Sequence, residues 1–178
     1  MRKKISSARV WRWLFSLPLM AGLLFGALPS KAPAAVTGQV RISLSSSAPA
    51  PGSTVTATVT FSASSPIIGV NTKISIPTSI VESFEVVNGN GTTSEKNGPA
   101  EVQLIYMGND STSGTLATIR MKIRSDAPAG GAGSLQVTAA TGSGEGTGTI
   151  QMNRGSAGMT VTVPKSSNAN LSSLKVNG

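Results

Sequence analysis

The chain contains neither cysteine nor histidine. Without cysteine there is no disulfide and no thiolate metal site. Without histidine the usual general base and the commonest metal ligand are both missing. Acidic residues are scarce, with only Glu82, Glu85, Glu95, Glu101, Asp110, Asp126 and Glu145 in 178 residues. A retaining glycosidase needs two carboxyls about 5–5.5 Å apart, and these seven are spread over separate loops and strand edges. Aromatic residues make up 4% of the chain, and both tryptophans, Trp11 and Trp13, lie near the start. Only Phe61, Phe84 and Tyr106 remain beyond residue 35, so no flat aromatic platform for crystalline polysaccharide is expected. No long apolar period of 3.6 residues occurs, which argues against a helical fold. Together these absences exclude most familiar active sites, and we expect no enzyme, no cofactor and no bound metal.

The formal charge of +8 is concentrated at one end. Arg2, Lys3, Lys4, Arg9, Arg12 and Lys31 fall in the first 35 residues, and the rest holds nine basic against seven acidic residues, a balance of +2. A nucleic-acid binder carries its basic excess in the folded part, so no nucleic-acid partner is expected. Arg2, Lys3 and Lys4 start a positive region, an apolar stretch follows from Trp13 to Leu28, and Ala32-Pro33-Ala34 supplies the small residues of a cleavage site. This is the pattern of a cleaved signal peptide over residues 1–35. The apolar run is short for a membrane span of about 20 residues, so the expected membrane encounter is export alone.

From Val36 to Val163 short runs of Val, Ile, Thr and Leu alternate with Gly, Pro, Ser and Asn clusters. Ser53–Phe61 is the clearest strand, with Val55, Ala57, Val59 and Phe61 on one face and Thr54, Thr56, Thr58 and Thr60 on the other. A period of two makes a half-buried strand. Further strands are expected at Gly38–Leu44, Ile67–Ile76, Phe84–Val87, Glu101–Met107, Leu116–Arg124, Leu135–Ala139, Thr149–Met152 and Met159–Val163. Pro77 ends the third, since proline cannot donate to a ladder. Asn88-Gly89-Asn90-Gly91 opens a polar loop. About nine strands at this spacing predict an all-β, two-sheet antiparallel β-sandwich with a jelly-roll-like path. Residues 164–169 read as a linker, and residues 170–178 as the truncated start of a second β domain.

Several local features have modest readings. Gly142-Ser143-Gly144-Glu145-Gly146-Thr147-Gly148 lacks the lysine and helix of a phosphate cradle and is expected as a flexible loop. Asn109-Asp110-Ser111 offers one carboxylate, thin for calcium with its 6–8 oxygen ligands, and is expected as a turn. The row Arg120, Lys122, Arg124 is expected to be a solvated strand face.

The order of motifs resembles a cohesin domain. An early Pro51-Gly52 precedes the Thr/Val-rich strand, Gly69 precedes Val70–Ile76, and Ser79-Ile80-Val81-Glu82-Ser83-Phe84-Glu85-Val86 follows. Val102–Met107 runs into Gly108-Asn109-Asp110-Ser111, and Gly114-Thr115-Leu116-Ala117-Thr118-Ile119-Arg120-Met121-Lys122-Ile123 leads to Ser125-Asp126-Ala127-Pro128-Ala129-Gly130. Ile76-Pro77 stands where cohesins usually carry Tyr-Asp-Pro, which points to a partner-facing chemistry of its own. The tail from Ser167 resembles the opening of a cadherin-like β-sandwich. The resemblance implies a secreted or cell-surface module of bacterial type that docks a dockerin module of polysaccharide-degrading enzymes through one sheet face. On that face it places Asn71, Lys73, Gln103, Ile105 and Met107. Direct carbohydrate binding and a spacer role in a surface protein are the other readings.

Overall fold

The computed structural model describes residues 35–146 and 148–162. The expected leader, linker and second β domain lie outside them. The described residues form eight strands: β1 (Gly38–Leu44), β2 (Thr54–Ser75), β3 (Val81–Asn88), β4 (Thr92–Lys96), β5 (Glu101–Ile123), β6 (Ala132–Gly144), β7 (Gly148–Arg154) and β8 (Ser156–Thr160). Among the described residues no helix is long and apolar enough to cross a membrane.

The strands are fewer and longer than the sequence spacing predicts because two expected pairs are continuous. β2 joins Ser53–Phe61 to Ile67–Ile76, and β5 joins Glu101–Met107 to Leu116–Arg124. The two pair antiparallel from Thr54↔Lys122 through Phe61↔Gly114 to Ser75↔Glu101, with register shifts between Ser62 and Gly69. Bulges of this kind bend a strand without ending it. Pro66, which lacks an N–H, falls inside the shift, where no ladder bond is required of it. One layer of the sandwich therefore holds β3, the second half of β5, the first half of β2 and β1. The other holds β4, the first half of β5, the second half of β2, and β6.

The remaining strands close the edges. β6 and β7 form a hairpin, with Gly144 opposite Gly148. Residues 142–144 are thus the end of β6, Glu145 and Gly146 a turn and Gly148 the start of β7, where the sequence predicts a flexible loop. β7 also pairs with β1, in parallel, so the sandwich is not wholly antiparallel. β8 continues beyond Gly155 and returns to the start of β6.

Two more segments differ from expectation. The polar stretch after Gly91 forms β4, pairing Thr92↔Tyr106 through Lys96↔Val102. An edge strand with a solvated outer side needs little apolar content, which is why its composition reads as a loop. Asn109-Asp110-Ser111 lies within β5, not in a turn.

Alternation along the strands buries one face of each regular run. Val55, Ala57, Val59, Phe61, Val70, Ile74, Val102, Leu104, Ile119, Met121 and Ile123 are all buried in one core cluster. Leu116 and Ala117 are both buried, because a register shift between Val59 and Thr60 turns two neighbours to the same side. Tyr106 packs its ring 5.0 Å from that of Phe61.

Two threonines share this core and differ in one respect. Thr72 donates its hydroxyl to the Ala139 carbonyl at 2.8 Å. Thr92 is also buried, and its hydroxyl has no partner. Valine is nearly isosteric with threonine, so replacing each isolates the hydroxyl. Losing a satisfied buried bond costs about 1 kcal/mol, whereas removing an unsatisfied polar atom relieves a penalty of similar size. Urea unfolding is expected to show Thr72→Val destabilised by ~1 kcal/mol and Thr92→Val unchanged or more stable by a comparable amount.

Candidate functional site

The second layer presents an outer face built from β4, β5, β2 and β6. Strand alternation decides its membership. With Val70, Thr72 and Ile74 buried, Asn71, Lys73 and Ser75 point outward, and with Val102 and Leu104 buried, Gln103, Ile105 and Met107 do the same. Cross-strand register assembles them into rows. Asn71 lies opposite both Ile105 and Thr141, and Thr93 lies beyond Ile105. Lys73 lies opposite Gln103 and Ala139, with Glu95 beyond Gln103. All five residues singled out from the sequence thus occupy one surface.

Polar groups on this face largely satisfy one another. Gln103 Nε2 donates to Asn71 Oδ1 at 3.0 Å. Lys73 Nζ lies 3.5 Å from Glu101 Oε1, which also accepts a bond from Asn97 Nδ2 at 3.1 Å. The lysine's charge is therefore balanced locally and half-exposed, an arrangement worth little to stability. The apolar side chains gather at one end. Met107 is 75% exposed and Ile68 42% exposed. With Gly69, Ile105, Gly142 and Ser143 they border an open hollow of about 300 Å³.

Ile68, Thr93, Glu95 and Thr141 were not singled out from the sequence. Ile68 has the parity of buried Val70, and the shift between Ile67 and Gly69 turns it outward instead. Thr93 and Glu95 belong to β4, whose polar composition concealed a strand. Thr141 joins the face because β6 runs to Gly144, beyond the expected end at Ala139.

Several other charged and aromatic groups lie away from this face. Arg124 makes a forked contact to Asp126, Nε to Oδ1 and Nη2 to Oδ2, both at 2.9 Å. These bonds raise the arginine and hold the Asp126 carboxyl below its ordinary range. Because the folded-state value is depressed, the pair contributes above the unfolded carboxylate value of about 4 and is lost as pH falls through the folded one. Lys122 donates to the Gly52 carbonyl, and Arg120 lies opposite Glu85 across the β3–β5 ladder. In the Arg120, Lys122, Arg124 row, the fold itself engages Lys122 and Arg124, and Arg120 is exposed to solvent.

Glu85 and Glu101 sit in different layers, the first across from Arg120 and the second across from Ser75. Among the described residues no three acidic groups gather as a metal site would require. Phe61 is buried, and Phe84 and Tyr106 are partly so. Lys96 lies over the Phe84 ring, 4.6 Å from its centre.

This architecture has solved counterparts. A cohesin module from a family 33 glycoside hydrolase of Clostridium perfringens superposes with a TM-score of 0.58 at 11% identity, over 71% of this chain and 98% of that one. The sixth cohesin of Acetivibrio cellulolyticus scaffoldin B, solved in complex with a Cel5 dockerin, gives 0.53 at 16% identity, over 71% and 99%. A Clostridium thermocellum cohesin, solved as the Coh-OlpA-Doc918 complex, gives 0.54 at 12% identity, over 69% and 99%. No curated protein matches the chain by sequence. The family model for the cohesin domain matches residues 39–163, and the chain belongs to the cohesin family, whose domain is a non-catalytic binding module.

Proposed function

We infer that this chain is an extracellular docking module that holds a dockerin in a polysaccharide-degrading or cell-surface assembly. One observation carries the reading. The outer face of the β4–β5–β2–β6 layer brings Asn71, Lys73, Gln103, Ile105 and Met107 together, with Met107 and Ile68 leaving apolar surface uncovered. Its Gln103–Asn71 and Lys73–Glu101 pairs are already bonded, so a partner can cover those four groups without stranding their charges. Related cohesins of this fold are found in complexes with dockerins. Direct polysaccharide binding has less to support it, since none of the three described rings is exposed.

The test uses the immobilised full chain and a panel of recombinant dockerin modules, with and without calcium, beside insoluble polysaccharides. Retention of a dockerin is the expected result. Ile105→Asp and Met107→Asp each place a charge under the partner and are expected to weaken retention by a factor of about 30, the cost of a central interface residue. Circular dichroism should show both variants folded, because neither side chain reaches the core. Retention on polysaccharide alone would transfer the domain to the carbohydrate-binding class. Retention of neither, across a broad panel, would favour a spacer.

A further inference from the structure

The sulfur atoms of this protein are unequally placed. Cysteine is absent, so methionine is the only oxidisable sulfur. Among the described residues Met121, Met152 and Met159 are 0%, 6% and 3% exposed, whereas Met107 is 75% exposed. The contrast has a local cause. Met107 lies opposite Gly69 on β2, and its backbone N–H donates to the carbonyl of Gly91 on the other side. Neither neighbour has a side chain to cover it. Gly91 resists one, with φ of +71° and a Cβ position 2.8 Å from the Met107 carbonyl oxygen, while a Cβ on Gly69 would meet the Ser143 hydroxyl at 2.7 Å, which would have to turn aside. The backbone geometry that builds the face therefore keeps this thioether open to solvent.

We propose that Met107 is a site of reversible oxidation by peroxides, and that its sulfoxide turns the docking face off. The switch rests on the docking reading, while the oxidation itself does not. A thioether lone pair attacks one peroxide oxygen, forming an S–O bond as the O–O bond breaks. The sulfur loses two electrons, and the proton of the transferred hydroxyl passes to the departing hydroxide, which leaves as water. The product is a polar, chiral side chain that sulfoxide reductases can restore. Beside Ile68 and Ile105 it places a strong hydrogen-bond acceptor where a partner must exclude water. A buried acceptor without a donor opposes association, and Met107 has only glycines across the ladder to answer it.

Treatment of the full chain with hydrogen peroxide, followed by trypsin and mass spectrometry, separates the sulfurs. Met107 falls in the peptide of residues 97–120, Met152 in 125–154 and Met159 in 155–165. The Met107 peptide is expected to gain its oxygen at least about tenfold faster than the other two, in line with the dependence of oxidation on exposure. Similar rates in all three would overturn the assignment. In parallel, dockerin retention is measured before and after peroxide for the parent and for Met107→Leu, each against its own untreated sample. The expected result is a loss of about tenfold or more for the parent and no change for the variant. An equal loss in both, or none in the parent once its peptide is oxidised, would overturn the switch. If the untreated parent retains no dockerin, the docking reading has failed and the switch with it, and the peptide rates still decide whether Met107 is the reactive sulfur.

Discussion

The ladder between β2 and β5 is the constraint on which the rest of the molecule depends. Both strands belong to both layers, and their pairing continues through the bend from Thr54↔Lys122 to Ser75↔Glu101. Because the side-chain period is two, this single register decides which residues are core and which are surface over most of the domain. A slip of one residue would carry Val70, Ile74, Val102 and Leu104 to water and bring Lys73 and Gln103 inside. With 27 buried apolar residues in one cluster among the described residues, such a slip is strongly opposed. The outer strands attach to this frame, β1 and β3 to one half and β4 and β6 to the other.

The bulges that bend the ladder also shape the surface. Between Ile67 and Gly69 the shift releases Ile68 from the core and places it beside Ile105 and Met107. The same region keeps glycine next to Met107 on two sides. A hollow with an apolar border thus arises where regular alternation fails, while the regular part of the face carries polar side chains that bond across strands. Local irregularity and the apolar border of the candidate face share one cause, the need to turn a strand from one sheet to the other.

Electrostatics follow the same division. Lys73 and Glu101 pair on the candidate face, while on the opposite layer Arg124 is held by Asp126 and Lys122 by the Gly52 carbonyl. A face with little net charge and an apolar corner gains mainly from excluding water, so shape and side-chain polarity weigh more than long-range attraction.

Much of the fold was legible in the residues themselves. Alternation in Thr54–Phe61, Val70–Ile76 and Leu116–Arg124 determined the buried faces, and the five residues placed on the candidate face share it. Period two is a local property, so one strand's sequence suffices to reveal it. Other features depended on contacts between distant segments. β4 shows no apolar signal because its stability comes from pairing with β5, and the continuity of β2 through Pro66 depends on a partner that tolerates a bulge. The exposure of Ile68 follows from a register shift, and that of Met107 from a glycine on β2 and a glycine in the turn before β4, 38 and 16 residues earlier in the chain. Sequence determined which side of the regularly alternating strands faces the core, because that is written in successive residues. Tertiary structure alone decided which strands meet, where they bend and what lies uncovered, because those outcomes are set by cross-strand neighbours that no local pattern names.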